Sequence, residues 1–421
     1  MSDGRRATAS WTPPPHASWV EEVNALGRNL GAAAALLPID GPSLLATATA
    51  AAGDDDFGDD GWREPFGVLL EAIEREADLN TIGRLLTRAE ILRVLRNRLR
   101  VVATRRAHPE IASGTVRQPI VITGTARSGT SILFECLAQD PRLRAPATWE
   151  AFDSVPPPET ETYATDPRIA ATDREVALWH AITPAYRSMH ANAGGAPNEC
   201  IFLMAHAFAS EHFSGVLDVP TYARWLASHD RVSAFRCHRD LLQLLQWRCP
   251  GERWLLKAPS HLTMVPDLLA VYPDARIIHT HRDPGRTVPS TISLMATLRL
   301  MRRDHVDIDV LAKTMMRGMA FGLDKLRQER VTGVVPAAQC IDVQYQDLVR
   351  DPLTVIAAIY EALDLEWRAD VAERIRAYLE ARPQGRHGTH RYALEDFGLD
   401  RDELDARYGP YMDHYGVSRE R

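Results

Sequence analysis

Between Pro119 and Leu133 the chain reads Pro-Ile-Val-Ile-Thr-Gly-Thr-Ala-Arg-Ser-Gly-Thr-Ser-Ile-Leu, an apolar strand that breaks at Gly124 into a short loop and then a helix start. Such a unit predicts an anion cradle. The loop exposes successive backbone N–H groups, and the following helix aims the positive end of its dipole at the same point. Gly124 and Gly129 stand at the spacing of a Walker A loop, but Thr130 occupies the position of the Walker lysine and the basic residue, Arg127, lies inside the loop. A phosphate-like group is therefore expected there, held by another arrangement.

Further apolar runs predict a sheet around this unit. The β-signals fall at 120–123, 254–257, 276–280 and 339–343, separated by helical stretches, which predicts an α/β fold with a central, mostly parallel sheet flanked by helices. Ligands in such sheets bind beyond the carboxyl ends of the strands, where Arg127, Lys257, His261 and Arg282 fall. Arg282 at a strand end and Ser290 two helical turns on can converge on one phosphate, the arginine by a forked, charge-assisted pair and the serine by its hydroxyl. Two anion sites on one sheet suggest a ligand with phosphates at both ends.

On these residues the chain resembles the PAPS-dependent sulfotransferases, enzymes that use 3′-phosphoadenosine 5′-phosphosulfate as donor and have a P-loop-kinase-like fold. The resemblance spans roughly residues 64–415 and is similar to the bacterial branch carrying Leu-Lys-x-Pro-x-His-Leu, here Leu256 to Leu262. It implies that Arg127, Ser128, Gly129, Thr130 and Ser131 bind the 5′-phosphosulfate, that Arg282 and Ser290 bind the 3′-phosphate, and that Tyr345 lies near the adenine. It also implies that a late basic loop, 380–395, closes over the nucleotide with Arg386 or Arg391, although this loop departs from the family's glycine-rich form.

Sulfuryl transfer is in-line, with charge accumulating on the bridging oxygen as the nucleotide leaves. Cations and N–H groups aimed at that oxygen carry the catalysis, and no metal is expected. Lys257 fits this role, and only two other lysines, Lys313 and Lys325, exist in the chain. The acceptor's proton needs a base. His261 stands first, Glu150 beside Trp149 second, and Glu199 third. His206, His212, His279 and His281 are read as structural. The expected acceptor is a hydroxyl of a small, partly apolar molecule such as a glycolipid, steroid or polyketide. A small-molecule kinase would need the missing lysine and acidic Mg²⁺ ligands, and an inactive nucleotide-binding protein would need a blocked acceptor pocket.

Composition bounds the rest. With 421 residues, 45% of them apolar, a net charge of −7 and five cysteines without metal-ligand pairing, the chain reads as a cytoplasmic enzyme with reduced thiols and no nucleic-acid partner. The apolar stretch 31–52 is broken by Pro38, Asp40, Gly41 and Pro42, so no transmembrane segment is expected. Oligomeric state leaves no mark in the sequence.

Residues 1–62 read as a flexible or loosely packed segment with a solvated acidic loop at 53–61, and 63–421 as one catalytic domain. Within it, 63–115 is helical, with a capping box expected at Thr87-x-x-Glu90 and a solvated face carrying Arg93, Arg96, Arg100 and Arg105. The stretch 150–250 is a helical insertion on the acceptor side. Its segment Asn198–Phe208 is expected either to pack in the core or to line an apolar channel.

Overall fold

The computed structural model describes residues 11–31, 33–189, 192–382 and 393–420. Its centre is a five-stranded parallel sheet of β1 (Ile120–Gly124), β2 (Leu143–Arg144), β3 (Arg253–Lys257), β4 (Arg276–His281) and β5 (Cys340–Gln344), in the order β2-β3-β1-β4-β5. Every residue of β1 is buried, as a strand covered by helices on both faces must be. The four β-signals of the sequence became β1, β3, β4 and β5. The two-residue β2 is too short to leave a periodic trace.

Register brings the chemistry to one edge. Ile122 pairs with Lys257, Gly124 with Thr280, and His281 with Gln344. The carboxyl ends of β1, β3, β4 and β5 thus lie side by side, and the residues just beyond them, including Arg282 and Tyr345, open onto one crevice.

The N-terminal part differs from the expected loose segment. From Ser18 onward it is packed: Val20, Leu44 and Ala48 are fully buried, and Asp40 caps the helix Gly41–Ala52 by accepting from Ser43 N at 2.9 Å. The acidic loop is tied down as well. Arg106 donates to Asp54 and Asp56 at 2.7 Å each, and buried Phe57 packs on Trp62 at 5.2 Å between ring centroids. Ion pairing and one aromatic anchor outweigh the local polarity from which looseness was read.

The capping box at Thr87 is also corrected. One helix runs from Thr81 to Ala107, and its cap is Asn80, whose side chain accepts from Gly83 N at 2.7 Å. Thr87 and Glu90 lie buried inside it. The arginine face is only partly solvated: Arg93 pairs with Glu175 and lies 4.0 Å over the Phe152 ring, and Arg105 donates to Asp240 O. Among the described residues the five cysteines are unbonded, with Cys136 and Cys200 buried and the other three half-buried. No single helix there is long and apolar enough to cross a membrane.

Candidate active site

The anion loop is a strained turn that two glycines make possible. Gly124 has φ 148°, and a Cβ there would stand 2.3 Å from Thr280 Oγ1. Gly129 has φ 94°, and its Cβ would meet the Tyr345 ring at 2.7 Å. The loop therefore packs closer to β4 and to Tyr345 than any side-chain-bearing residue permits. The helix Thr130–Leu137 begins at once, and its first-turn N–H groups have no partners within the helix. Ser128 has a different role from the one expected of it. Its N–H donates to Thr125 O at 3.1 Å, and its buried hydroxyl bonds Thr125 O at 2.6 Å and Thr280 Oγ1 at 2.7 Å, so it holds the turn's shape.

The second anion group meets the first directly. Arg127 Nε donates to Ser290 Oγ at 3.1 Å, and Arg282 Nη1 donates to Arg127 O at 2.8 Å. The Arg282 guanidinium lies 3.8 Å over the Tyr345 ring. Its fork is engaged by the carboxylate of Glu420, Nε to Oε1 at 2.8 Å and Nη2 to Oε2 at 3.0 Å. This is the planar, bidentate geometry a phosphate would take. Glu420 was not anticipated, since nothing local in the C-terminal tail signals an arginine partner 138 positions away. Arg386 and Arg391 lie outside the described residues.

Lys257, buried at the end of β3, donates from Nζ to Glu199 Oε1 at 2.5 Å and to Ser131 Oγ at 3.3 Å. The three base candidates separate sharply. Glu150 is fully buried and satisfied: it accepts from Arg144 Nη2 at 2.5 Å, from Ala147 N at 2.8 Å and from Tyr163 OH at 3.0 Å. It fastens β2 to the helix Thr148–Phe152 and is not part of the site. The His261 ring packs against Phe235 at 5.4 Å, its Nδ1 without a hydrogen-bond partner among the described residues, and burial pushes its pKa down to about 4 despite the nearby Glu199 charge. Glu199 alone of the three lines the adjoining cavity.

That cavity encloses about 250 Å³. Ala126 from the anion loop and Pro259 and Ser260 from the loop after β3 form one end, so it opens beside Lys257 and the cradle. Trp179, Tyr186, Ile201, Phe202, Leu294 and Leu298 supply apolar wall. The segment Asn198–Phe208 thus serves both expected purposes: Ile201 and Phe202 line the cavity, while Leu203, Met204 and Phe208 belong to the core.

His206 and His212 are partnered inside the helical layer, by Asn97 and Glu90. His279, His281 and Asp342 bring one ligand atom each within 4.8 Å of one another, but both Asp342 oxygens accept from Arg330, at 2.6 and 2.8 Å.

The chain is 25% identical over 308 residues, 72% of its length and 76% of the relative's, to the omega-hydroxy-beta-dihydromenaquinone-9 sulfotransferase Stf3 of Mycobacterium bovis. The crystal structure of sulfotransferase STF9 from Mycobacterium avium superposes with a TM-score of 0.82 at 28% identity, covering 90% of this chain and 97% of that one. Sulfotransferase STF1 from Mycobacterium tuberculosis gives 0.78 at 30% identity, over 88% and 98%. Residues 119–369, from the residue before β1 to beyond β5, match the pattern of the sulfotransferase family. Because that span covers more than half of the molecule and contains both anion groups and the Lys257 strand, the chain belongs to the sulfotransferase family.

Proposed function

We propose that the protein transfers the sulfuryl group of 3′-phosphoadenosine 5′-phosphosulfate to a hydroxyl of a small, partly apolar acceptor. The observation that carries this reading is the Lys257–Glu199 pair, set between Ser131 at the start of the cradle helix and an apolar cavity. One member suits the donor and the other the acceptor. The N–H groups of residues 129–131 and Arg127 hold the 5′-phosphosulfate, Arg282 and Ser290 hold the 3′-phosphate once Glu420 withdraws, and Tyr345 supports the nucleoside.

The acceptor oxygen attacks sulfur as the bond from sulfur to the 5′-phosphate oxygen breaks in line. The hydroxyl proton passes to Glu199, and the Lys257 ammonium meets the charge that appears on the leaving oxygen. Before donor binding the two side chains neutralise one another. Donor binding draws the ammonium toward the bridging oxygen and leaves the carboxylate for the acceptor. His261, kept neutral by burial, supports the loop from behind. The mycobacterial relative is named for omega-hydroxy-beta-dihydromenaquinone-9, and a partly apolar acceptor suits the apolar wall of this cavity. We place the reaction in the cytosol, where five unpaired thiols stay reduced.

The test is transfer of ³⁵S from labelled donor to hydroxylated apolar acceptors. Wild type transfers label, and Glu199→Gln loses about 10²–10⁴ in kcat while still binding adenosine 3′,5′-bisphosphate. A protein that neither binds the bisphosphate nor transfers label refutes the reading. A larger loss in His261→Ala than in Glu199→Gln returns the base role to the histidine.

A further inference from the structure

A second cavity shares no lining residue with the one beside Lys257. It encloses about 500 Å³ between the helices Thr81–Ala107 and Val232–Gln246. The first helix lines it with Arg98, Val101, Val102 and Arg105, and the second with Ser233, Arg236, Cys237 and Asp240, both sets at the spacing of a single helical face. Buried Trp62, Val101, Ala207 and Leu241 give it an apolar surface.

The charge on its wall does not balance. Four arginines line it, Arg98, Arg105, Arg236 and Arg239, against two carboxylates, Asp59 and Asp240. Arg98 is engaged inside the fold: it donates to Phe57 O at 2.7 Å and to His206 O at 3.1 Å, and it pairs with Asp59 at 3.3 Å. Arg105 pairs with Asp240 at 3.3 Å. Arg236 and Arg239 are the surplus, with no hydrogen-bond or ion-pair partner among the described residues. Arg236 is exposed, and of the Arg239 guanidinium only Nε is enclosed, so the outer end of each fork can be reached from the cavity. His206, also on the wall, is neutral because burial pushes its pKa down to about 4. The neighbouring acidic loop does not supply the missing charge, since Arg106 holds Asp54 and Asp56, and Arg63 holds Asp60. In a chain of net charge −7 the wall is thus a local patch of the opposite sign. Like charges three residues apart on one helix repel, so Arg236 and Arg239 stabilise nothing by themselves.

We infer that this cavity is a second ligand site, one that takes a small organic phosphate: Arg236 and Arg239 donate to the phosphate oxygens, and the organic part lies against Trp62, Val101 and Leu241. A phosphate monoester is doubly charged above its second pKa of about 6, which matches the two surplus arginines. The combination of apolar surface with a few convergent charged groups is that of a small-molecule pocket. The site is separate from the nucleotide crevice and from the cavity beside Glu199, and it touches no reacting atom.

Titration calorimetry on the full chain, in the presence of excess adenosine 3′,5′-bisphosphate, tests this with 1-naphthyl phosphate as the probe and 1-naphthol and inorganic phosphate as controls. The ester should bind saturably, about tenfold or more tighter than either control, and should weaken about tenfold or more in the double variant Arg236→Gln, Arg239→Gln. That variant should bind adenosine 3′,5′-bisphosphate as wild type does. If it does not fold, Arg236→Gln alone, at an exposed position, decides. No saturable binding of the ester, or binding unchanged in the variant, overturns the site. Inorganic phosphate bound as tightly as the ester overturns the organic ligand. Each of these results leaves sulfuryl transfer standing, and a chain that binds the ester but not the bisphosphate keeps the second site and loses the nucleotide reading.

Discussion

Arg127 holds φ 69°, a left-handed conformation that costs a side-chain-bearing residue on the order of 1–3 kcal/mol. The strain is retained because the same turn aims its guanidinium at Ser290 and its carbonyl at Arg282. Stability and binding therefore pull in opposite directions at this position. Arg127→Gly should leave the thermal midpoint unchanged or raised while weakening adenosine 3′,5′-bisphosphate by about tenfold or more, since a charge-assisted contact to phosphate contributes about 1.5–3 kcal/mol. Calorimetry on wild type and variant checks it, and a variant that loses stability and keeps its affinity contradicts the assignment. That Arg127, Lys257 and Arg282 gather at the carboxyl ends of the strands was legible from residue type and position alone. The place of Glu199 between Lys257 and the cavity was not legible, and among three carboxylate or imidazole candidates it stood third.

At the scale of elements, the helix Pro284–Leu300 ties the anion loop to the cavity, with Ser290 at one and Leu294 and Leu298 at the other. The C-terminal tail reaches the same crevice. Glu420 sits in the Arg282 fork, and its backbone N–H donates to Asp283 Oδ2 at 2.8 Å. A carboxylate in a phosphate's geometry competes with the nucleotide, so Glu420→Gln should tighten adenosine 3′,5′-bisphosphate binding several-fold, most visibly at low salt. An unchanged affinity means that the tail is displaced at no cost. The helix Thr81–Ala107 shows the limit of local signals. Thr87 and Glu90 have capping-box spacing, yet Asn80 makes the cap, and Glu90 is claimed by His212 and Arg302, which arrive from elements distant in the chain. Sequence spacing carries no information about partners that arrive through the fold.

The whole molecule carries several histidines that burial keeps neutral. Burial pushes His206 and His261 down to about 4 and His238 down to about 3. The unfolded chain takes up these protons near pH 6.5, whereas the folded protein takes them up only near the lowered values. Stability is thus fully present above pH 6.5 and is lost as pH falls through the window below it, each histidine contributing up to about 1.4 kcal/mol per pH unit. Carboxylates held low, such as Glu90 and Asp342, release their contribution only below the ordinary carboxyl range of about 4, outside this window. The thermal midpoint should therefore fall steadily from pH 7 to pH 5. A flat profile there means that these rings are hydrated in the folded protein.

What the sequence determined by itself was whatever depends on neighbours along the chain. An apolar run flanked by glycine makes a buried strand and a cradle, and strands alternating with helices make a parallel sheet whose carboxyl edge gathers Arg127, Lys257, Arg282 and Tyr345. What only the tertiary structure decided was burial and partnership across long separations. Glu150 was buried and paired with Arg144 and Tyr163, His261 was enclosed against Phe235, and Glu199 was set between Lys257 and the cavity. The physical reason is that an ionisable side chain takes its role from its solvation and its nearest charges, and both are properties of the packed chain, not of the local string.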